Sequence, residues 1–255
     1  MVLEGMRGAE ALANLHAEIT AATRGYRPPS SLLTLVDDEY LGYVRNTTQG
    51  SLYYQWLALA VRLARPALVV ELGSGLGVST LLMLSELAET ARLVTCDIAP
   101  RLKFVPPEIM RDPRLKFYTG NDLNLGVFGN DLPVGIDLLF IDTEHTFDQI
   151  SAEWQIYRHL CRRGALVVLD DIRVQDMPRF WDALPYPKLE LTEECHESGF
   201  GVFLYDAEGA PSPAEAYREA LRVVWARRDP AAAAAGQRLP RSFWRRTGRA
   251  LRLMR

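Results

Sequence analysis

No apolar run in the sequence is long enough to cross a bilayer, and the N-terminus lacks the basic-then-apolar pattern of a secretory signal. Both absences favour a cytoplasmic protein. Cysteine is scarce. Cys96, Cys161 and Cys195 stand far apart with no CxxC pair, which argues against a zinc knuckle and fits a reducing compartment. No internal repeat is present. A surplus of one charge sign is missing too: the net charge of −3 gives no overall reason to expect nucleic acid as a partner. What is abundant is apolar. At 48% of 255 residues it can fill the core of one large α/β domain with added terminal pieces.

The most informative stretch is Leu68-Val69-Val70-Glu71-Leu72-Gly73-Ser74-Gly75-Leu76-Gly77-Val78-Ser79-Thr80. Its apolar start reads as a strand covered on both faces, followed by a glycine turn and a helix. A dinucleotide fingerprint needs a glycine at the sixth position, and counting from Gly73 that position is Val78. The phosphate-binding loop of nucleotide triphosphatases fails as well, because no Gly-Lys-Ser/Thr follows. What remains is acidic-x-Gly-x-Gly-x-Gly. An acid at Glu71 would repel a pyrophosphate but suits a ligand with an amine and a sulfonium. The segment resembles the first motif of the class I S-adenosylmethionine (SAM) methyltransferases.

Alternation of strands and helices continues. Residues 4–23 and 30–43 favour helix, residues 46–50 form a polar loop, and an aromatic-rich helix runs from Ser51 to Ala64. Together they read as a cap that could wall a substrate pocket. Strands are expected at Arg92 to Asp97, Leu115 to Tyr118, Ile136 to Asp142 and Ala165 to Asp171. Asp97 lies 24 residues past Gly73, where an acid takes ribose hydroxyls; an N-cap or turn role is the alternative. Asp122 follows the third strand, as either an adenine contact or an Asx-turn. Thr146 to Gln149 has the form of a capping box, so a helix starts there. It should bury Phe147, Ile150, Trp154, Tyr157 and Cys161 and stop at Gly164. A short helix spans Asp176 to Leu184. Leu189 to Cys195 and Phe200 to Tyr205 form a hairpin that ends the sheet antiparallel. Pro213 to Arg228 is an amphipathic helix, and the alanine run from Ala231 is a linker.

Three carboxylates gather at later strand ends: Asp142, Asp170 and Asp171. In a parallel sheet these ends share the edge that carries the glycine turn. Three like charges so close raise one another's pKa unless a cation lies between them, and hard oxygen ligands suit Mg²⁺. His145, just past Asp142, is placed to act as general base on a hydroxyl bound to that metal. Asp142-x-x-His145 with Leu169-Asp170-Asp171-Ile172 resembles the divalent-metal-dependent O-methyltransferases, and is most similar to the macrolide-sugar and cephalosporin-hydroxylase-like branch. The resemblance covers residues 45–206. It implies SAM contacts at Glu71, Gly73, Ser74, Gly75, Ser79, Asp97 and Asp122, metal ligation by Asp142, Asp170 and Asp171, and a base role for His145.

The expected fold is therefore the Rossmann-like class I methyltransferase fold: seven strands, mostly parallel, the last antiparallel, with helices on both faces. Expected units are a helical cap (1–65), a SAM-binding catalytic domain (66–229) and a linker with an arginine-rich tail (230–255). The expected activity is Mg²⁺-dependent methyl transfer from SAM to a hydroxyl of a small polar acceptor, of sugar or secondary-metabolite type. Hydroxylase-type chemistry on the same fold and a non-catalytic partner-binding scaffold are the alternatives. Against the first stands a count of histidines: an iron-oxygenase triad needs two, and only His145 lies near the acids in sequence. The cap helices are compatible with a homo-oligomer. Residues 238–255 hold seven arginines and no acid, so they either contact an acidic partner or surface or form a solvated tail.

Overall fold

The computed structural model describes residues 8–27, 52–99, 101–102, 105–129, 131, 133–206 and 213–234. The expected helix over 30–43, the loop over 46–50 and the arginine-rich tail lie outside them. Seven strands form one sheet: β1 (Leu68–Leu72), β2 (Arg92–Asp97), β3 (Leu115–Thr119), β4 (Ile136–Ile141), β5 (Cys161–Asp170), β6 (Lys188–Glu190) and β7 (Phe200–Tyr205). Their order is β3-β2-β1-β4-β5-β7-β6. β1 runs parallel to β2 and β4, β2 to β3, and β4 to β5. β7 is antiparallel to both β5 and β6. The chain winds outward from β1 in one direction and then from β4 in the other. The crevice above β1 and β4 is thus the switch point where such sheets bind ligands. This is the Rossmann-like, seven-stranded arrangement that the sequence resemblance implied.

The helices are α1 (Gly8–Thr23), α2 (Tyr53–Ala64), α3 (Val78–Glu86), α4 (Phe147–Tyr157), α5 (Met177–Ala183), α6 (Pro213–Arg228) and a short α7 (Pro230–Ala234). Strand alternation sorts the core into two layers. Val69, Leu93, Phe140 and Val168 pack with Leu12, Leu15 and Ile19 of α1, Trp56 and Leu57 of α2, and Leu81 of α3. Val70, Val94, Leu139 and Val167 face the other way, against Ile150, Trp154 and Tyr157 of α4, Trp181 of α5 and Leu221 of α6. The N-terminal helices share one core with the sheet, and both faces of every central strand are covered. None of the described helices is long and apolar enough to cross a membrane.

Four local expectations are corrected. α4 ends at Tyr157, and Cys161 already belongs to β5. Gly164 does not stop a helix: it sits inside β5 at φ 78°, where the pairing register with β4 shifts, as a bulge requires. β6 is only Lys188–Glu190, because Leu191 to Cys195 turns back on itself through Glu194 and Cys195 N–H bonds to the Leu191 carbonyl. The alanine run begins as the helix α7, in keeping with alanine's high propensity.

Candidate active site at the C-terminal edge of the sheet

The glycine turn is shaped by what lies beneath it as much as by what it could bind. Gly73 has φ 86°, and a Cβ there would stand 1.7 Å from the carbonyl oxygen of Asp142. The backbones on either side are bonded: the Asp142 N–H donates to the Leu72 carbonyl and the Gly73 N–H to that of Cys96, each at 2.8 Å. Gly77, at φ 86°, packs so closely on Val105 that a Cβ would meet its methyl at 2.2 Å. Gly75, at φ 48°, faces open space, leaving room for a ligand to approach the backbone.

Three carboxylates serve this turn in different ways. Glu71 is fully buried and accepts hydrogen bonds from the hydroxyls of Ser79 and Thr80. Burial pushes its pKa up, against the pull of those hydroxyls. Glu71, Ser74 and Ser79 are therefore not on the cleft wall: Glu71 and Ser79 tie the end of β1 to the start of α3, and a direct sulfonium or amine contact from Glu71 is not what this geometry presents. Asp97 accepts from the N–H groups of Ser74 (3.0 Å) and Gly75 (2.8 Å) with one oxygen and from Ala99 (2.8 Å) with the other. The Ser74 hydroxyl adds a long contact at 3.4 Å. Asp122 is nearly buried, and burial raises its pKa. Its neighbour is Glu153 of α4, a wholly buried carboxyl that accepts from Thr143 Oγ1 (2.7 Å) and Gln149 Nε2 (2.6 Å). Burial first, and then the charge of Asp122, hold Glu153 well above the ordinary carboxylate range.

A cleft of about 420 Å³ opens over these groups. Gly73, Gly75, Asp97, Asp122, Asp142, Glu144 and His145 are among the residues that line it. His145 bridges two acids, with Nε2 at 3.3 Å from Asp142 and Nδ1 at 2.9 Å from Asp171. Burial disfavours charge on this imidazole, but the hydrogen bonds to Asp142 and Asp171 outweigh it and hold the pKa at about 10. Asp142 keeps 31% of its side chain open to the cleft, yet its removal from bulk water pushes its carboxyl up to about 7. Asp171 is lowered: burial opposes this, and the bond from His145 overcomes it. Asp171 adopts φ 53°, a left-handed conformation that ends β5 abruptly.

Three groups here escaped the sequence reading. His196 places Nε2 at 2.8 Å from Asp170 and Nδ1 at 3.8 Å from Asp171. Two histidines thus stand among the acids, and the count that spoke against an iron-type triad no longer holds. Tyr53 of α2 donates to the second oxygen of Asp170 at 2.9 Å, so the N-terminal region reaches the site. Glu153 is the third. For His196 there was a usable signal: an antiparallel last strand must begin where β5 ends, so the residues before Phe200 land beside Asp170.

Residues 70–172, which hold the glycine turn, Asp142, His145, Asp170 and Asp171, match the model of a family described as "Methyltransferase domain". That stretch of the chain is similar to methyltransferase domains. Solved methyltransferase structures share its fold. One is an O-methyltransferase from Bacillus cereus in complex with SAH, 18% identical with a TM-score of 0.54, aligned over 80% of this chain and 100% of that one. A second is an O-methyltransferase from Streptomyces achromogenes involved in tomaymycin synthesis, in complex with SAM. It is 16% identical, with a TM-score of 0.50, over 81% of this chain and 100% of that one. A methyltransferase from Geobacter sulfurreducens aligns over 75% of this chain and 96% of its own, at 16% identity and a TM-score of 0.52. No curated protein sequence matches the chain. The matched segment supplies Asp97, Asp122, Asp142, His145, Asp170 and Asp171, whereas Tyr53 and His196 come from outside it.

Proposed function

We propose that the protein transfers a methyl group from SAM to a hydroxyl of a small polar acceptor, of sugar or secondary-metabolite type, with the help of a divalent cation. The observation that carries this reading is one cleft lined both by the glycine turn and by Asp142 and His145. The O-methyltransferase neighbours, two of them bound to SAM or SAH, point the same way. Gly73, Gly75 and the backbone would lie along the donor, with Asp97 on its ribose hydroxyls and Asp122 on its adenine. Glu71, Ser74 and Ser79 would act through the shape of the turn.

Asp170 groups with Asp142 and His145, and separately with Asp171 and His196, the ligand atoms of each set within 4.8 Å of one another, which supports a cation here. Asp142, Asp170 and Asp171 would hold it, and three carboxylates alone would favour Mg²⁺. Bound there, the ion would supply Lewis acidity that lowers the pKa of the acceptor hydroxyl. His145 would take the hydroxyl proton as the oxygen–carbon bond forms and the carbon–sulfur bond breaks. Engagement of Asp142 and Asp171 elsewhere would release an imidazole nitrogen for that task. Most of the acceleration would come from alignment in the cleft and exclusion of water. Nothing in this scheme needs a membrane or nucleic acid, and it suits a cytoplasmic enzyme.

The test is SAM binding by calorimetry, followed by an acceptor screen that reads a mass gain of one methyl with and without chelator. SAM binding with chelator-sensitive transfer supports the reading. Tight SAM binding with transfer that ignores the chelator removes the metal from it. Absence of SAM binding would favour the scaffold reading. His196 lends one observation to the hydroxylase alternative, which instead requires Fe²⁺-dependent oxygen consumption with no SAM present.

A further inference from the structure

We propose that His196 is itself a metal ligand through Nε2, and that the site therefore selects a borderline transition ion of the Mn²⁺ or Fe²⁺ type over Mg²⁺. This rests on the reading that the aspartate cluster holds a cation, and it concerns which ion and which residues.

Geometry around Asp170 carries the argument. Asp170 is only 7% exposed, and its two oxygens are differently employed. Oδ2 accepts the Tyr53 hydroxyl at 2.9 Å. Oδ1 lies 2.8 Å from His196 Nε2, close enough for an ion pair, yet both atoms are buried without a partner in hydrogen-bond geometry. A close contact without hydrogen-bond geometry is what two ligands show when both address a third point. Around a six-coordinate ion with bonds near 2.1 Å, adjacent ligand atoms stand about 3 Å apart. The candidate ligand atoms of Asp170, Asp171 and His196 all fall within 4.8 Å of one another, and Asp170 shares a second such group with Asp142 and His145.

The imidazole is also pre-oriented. Nδ1 sits 3.2 Å from the Ser198 hydroxyl. With the proton on Nδ1 donated to Ser198, Nε2 keeps its lone pair for a metal, the usual arrangement behind a ligating histidine. The ring is wedged edge-on against Tyr53, with centroids 4.7 Å apart. Its backbone is pinned to the β5 end, since the Arg173 N–H donates to the Ser198 carbonyl (2.8 Å) and the Ile172 N–H to that of Gly199 (3.2 Å). Gly199, at φ 101°, allows this close pass: a Cβ there would meet the Arg173 nitrogen at 2.8 Å. One imidazole among carboxylates shifts preference away from Mg²⁺, which takes oxygen ligands and dehydrates reluctantly, toward ions that accept nitrogen.

The experiment uses the full chain with metal alone, without SAM or acceptor. Mn²⁺ and Mg²⁺ affinities are measured by calorimetry, and Mn²⁺-bound protein is studied by electron spin-echo spectroscopy for ¹⁴N coupling. Wild type is expected to bind Mn²⁺ on the order of 100-fold more tightly than Mg²⁺. His196→Asn should lose Mn²⁺ affinity by about 10- to 100-fold, with Mg²⁺ affinity little changed, and should lose the ¹⁴N signal that His145→Asn retains. Ser198→Ala leaves the ligand in place and should cost Mn²⁺ affinity by a smaller factor, which keeps the test open if His196→Asn does not fold. An unchanged ¹⁴N signal in His196→Asn, or an equal loss for both ions, overturns the proposal. Since neither readout needs methyl transfer, a chain that binds Mn²⁺ through His196 but moves no methyl would refute the transfer reading alone.

Discussion

The carboxyl groups near one edge of the sheet fall into two halves that are held by opposite means. At the donor end, Glu71 is held by hydroxyls, Asp97 by backbone N–H groups, and Asp122 by a second carboxyl, that of Glu153. At the acceptor end, Asp142, Asp170 and Asp171 are met by the imidazoles of His145 and His196. Hydroxyls and backbone N–H groups, which hold Glu71 and Asp97, do not titrate, so that part of the surface is rigid and pre-formed. Imidazoles can give up their carboxylates, so the second half is built to exchange partners. The lesson is that equal numbers of acids do not make equal sites: what faces each acid decides whether it braces, binds or reacts.

The sharpest way to break the comparison is at Asp142. Asp142→Ala should lower turnover on the order of 10³-fold, the several kcal/mol that a Lewis acid supplies, while SAM affinity stays within a few-fold. Parallel loss of SAM affinity would show that the halves are not separate. Next in size is His145→Ala. Turnover should fall by about 10²-fold or more, typical of a general base, again with SAM binding kept. Wild-type turnover in this variant would remove His145 from the chemistry.

Glu153 probes the donor half through stability. Its folded-state pKa is raised by burial and by Asp122, so the folded protein keeps a proton that the unfolded chain releases above the ordinary carboxylate range. The folded state then binds more protons, and stability falls as pH rises from that range toward the raised pKa. Glu153→Gln removes this slope, which is at most about 1.4 kcal/mol per pH unit for one proton. Urea denaturation at a series of pH values from 5 to 8 should show a flatter profile for the variant; identical slopes would mean the pair is not protonated. The smallest effect is expected at Ser74. Its hydroxyl contact with Asp97 is long at 3.4 Å, while its backbone N–H does the binding at 3.0 Å. Ser74→Ala should therefore change stability by less than about 0.5 kcal/mol and SAM affinity by less than a few-fold.

Local chemistry made much of this legible. Gly73, Gly75 and Gly77 announce a turn, and Asp97, Asp142, Asp170 and Asp171 follow apolar runs whose ends a parallel sheet must bring together. Thr146 caps α4, accepting from the Gln149 N–H at 3.3 Å, though the Gln149 side chain turns to Glu153 and leaves the box half made. The misses share one cause. His196 and Tyr53 reach Asp170 from 26 residues ahead and 117 behind, through the direction of β7 and the seat of α2, which no local pattern encodes. Glu153 lies on the buried side of α4 beside Ile150 and Trp154, where periodicity expects an apolar residue. Its partner Asp122 belongs to another loop. A strand-end acid can face a ligand or the helix that follows, and Glu71 faces the hydroxyls of Ser79 and Thr80 at the start of α3.

The absent side chain at Gly73 has a consequence for how such a protein can diversify. With the turn resting directly on the Asp142 carbonyl, the proposed methyl transfer would have its donor-to-acceptor span set by main chain against main chain. Pocket walls drawn from other segments, α2 with Tyr53 among them, can then change shape from one acceptor to the next while the reacting span stays the same. Reactivity and selectivity are thereby placed on separate parts of the chain. Altering the acceptor should be open to mutation and selection, whereas altering the reach of the methyl would require rebuilding the sheet.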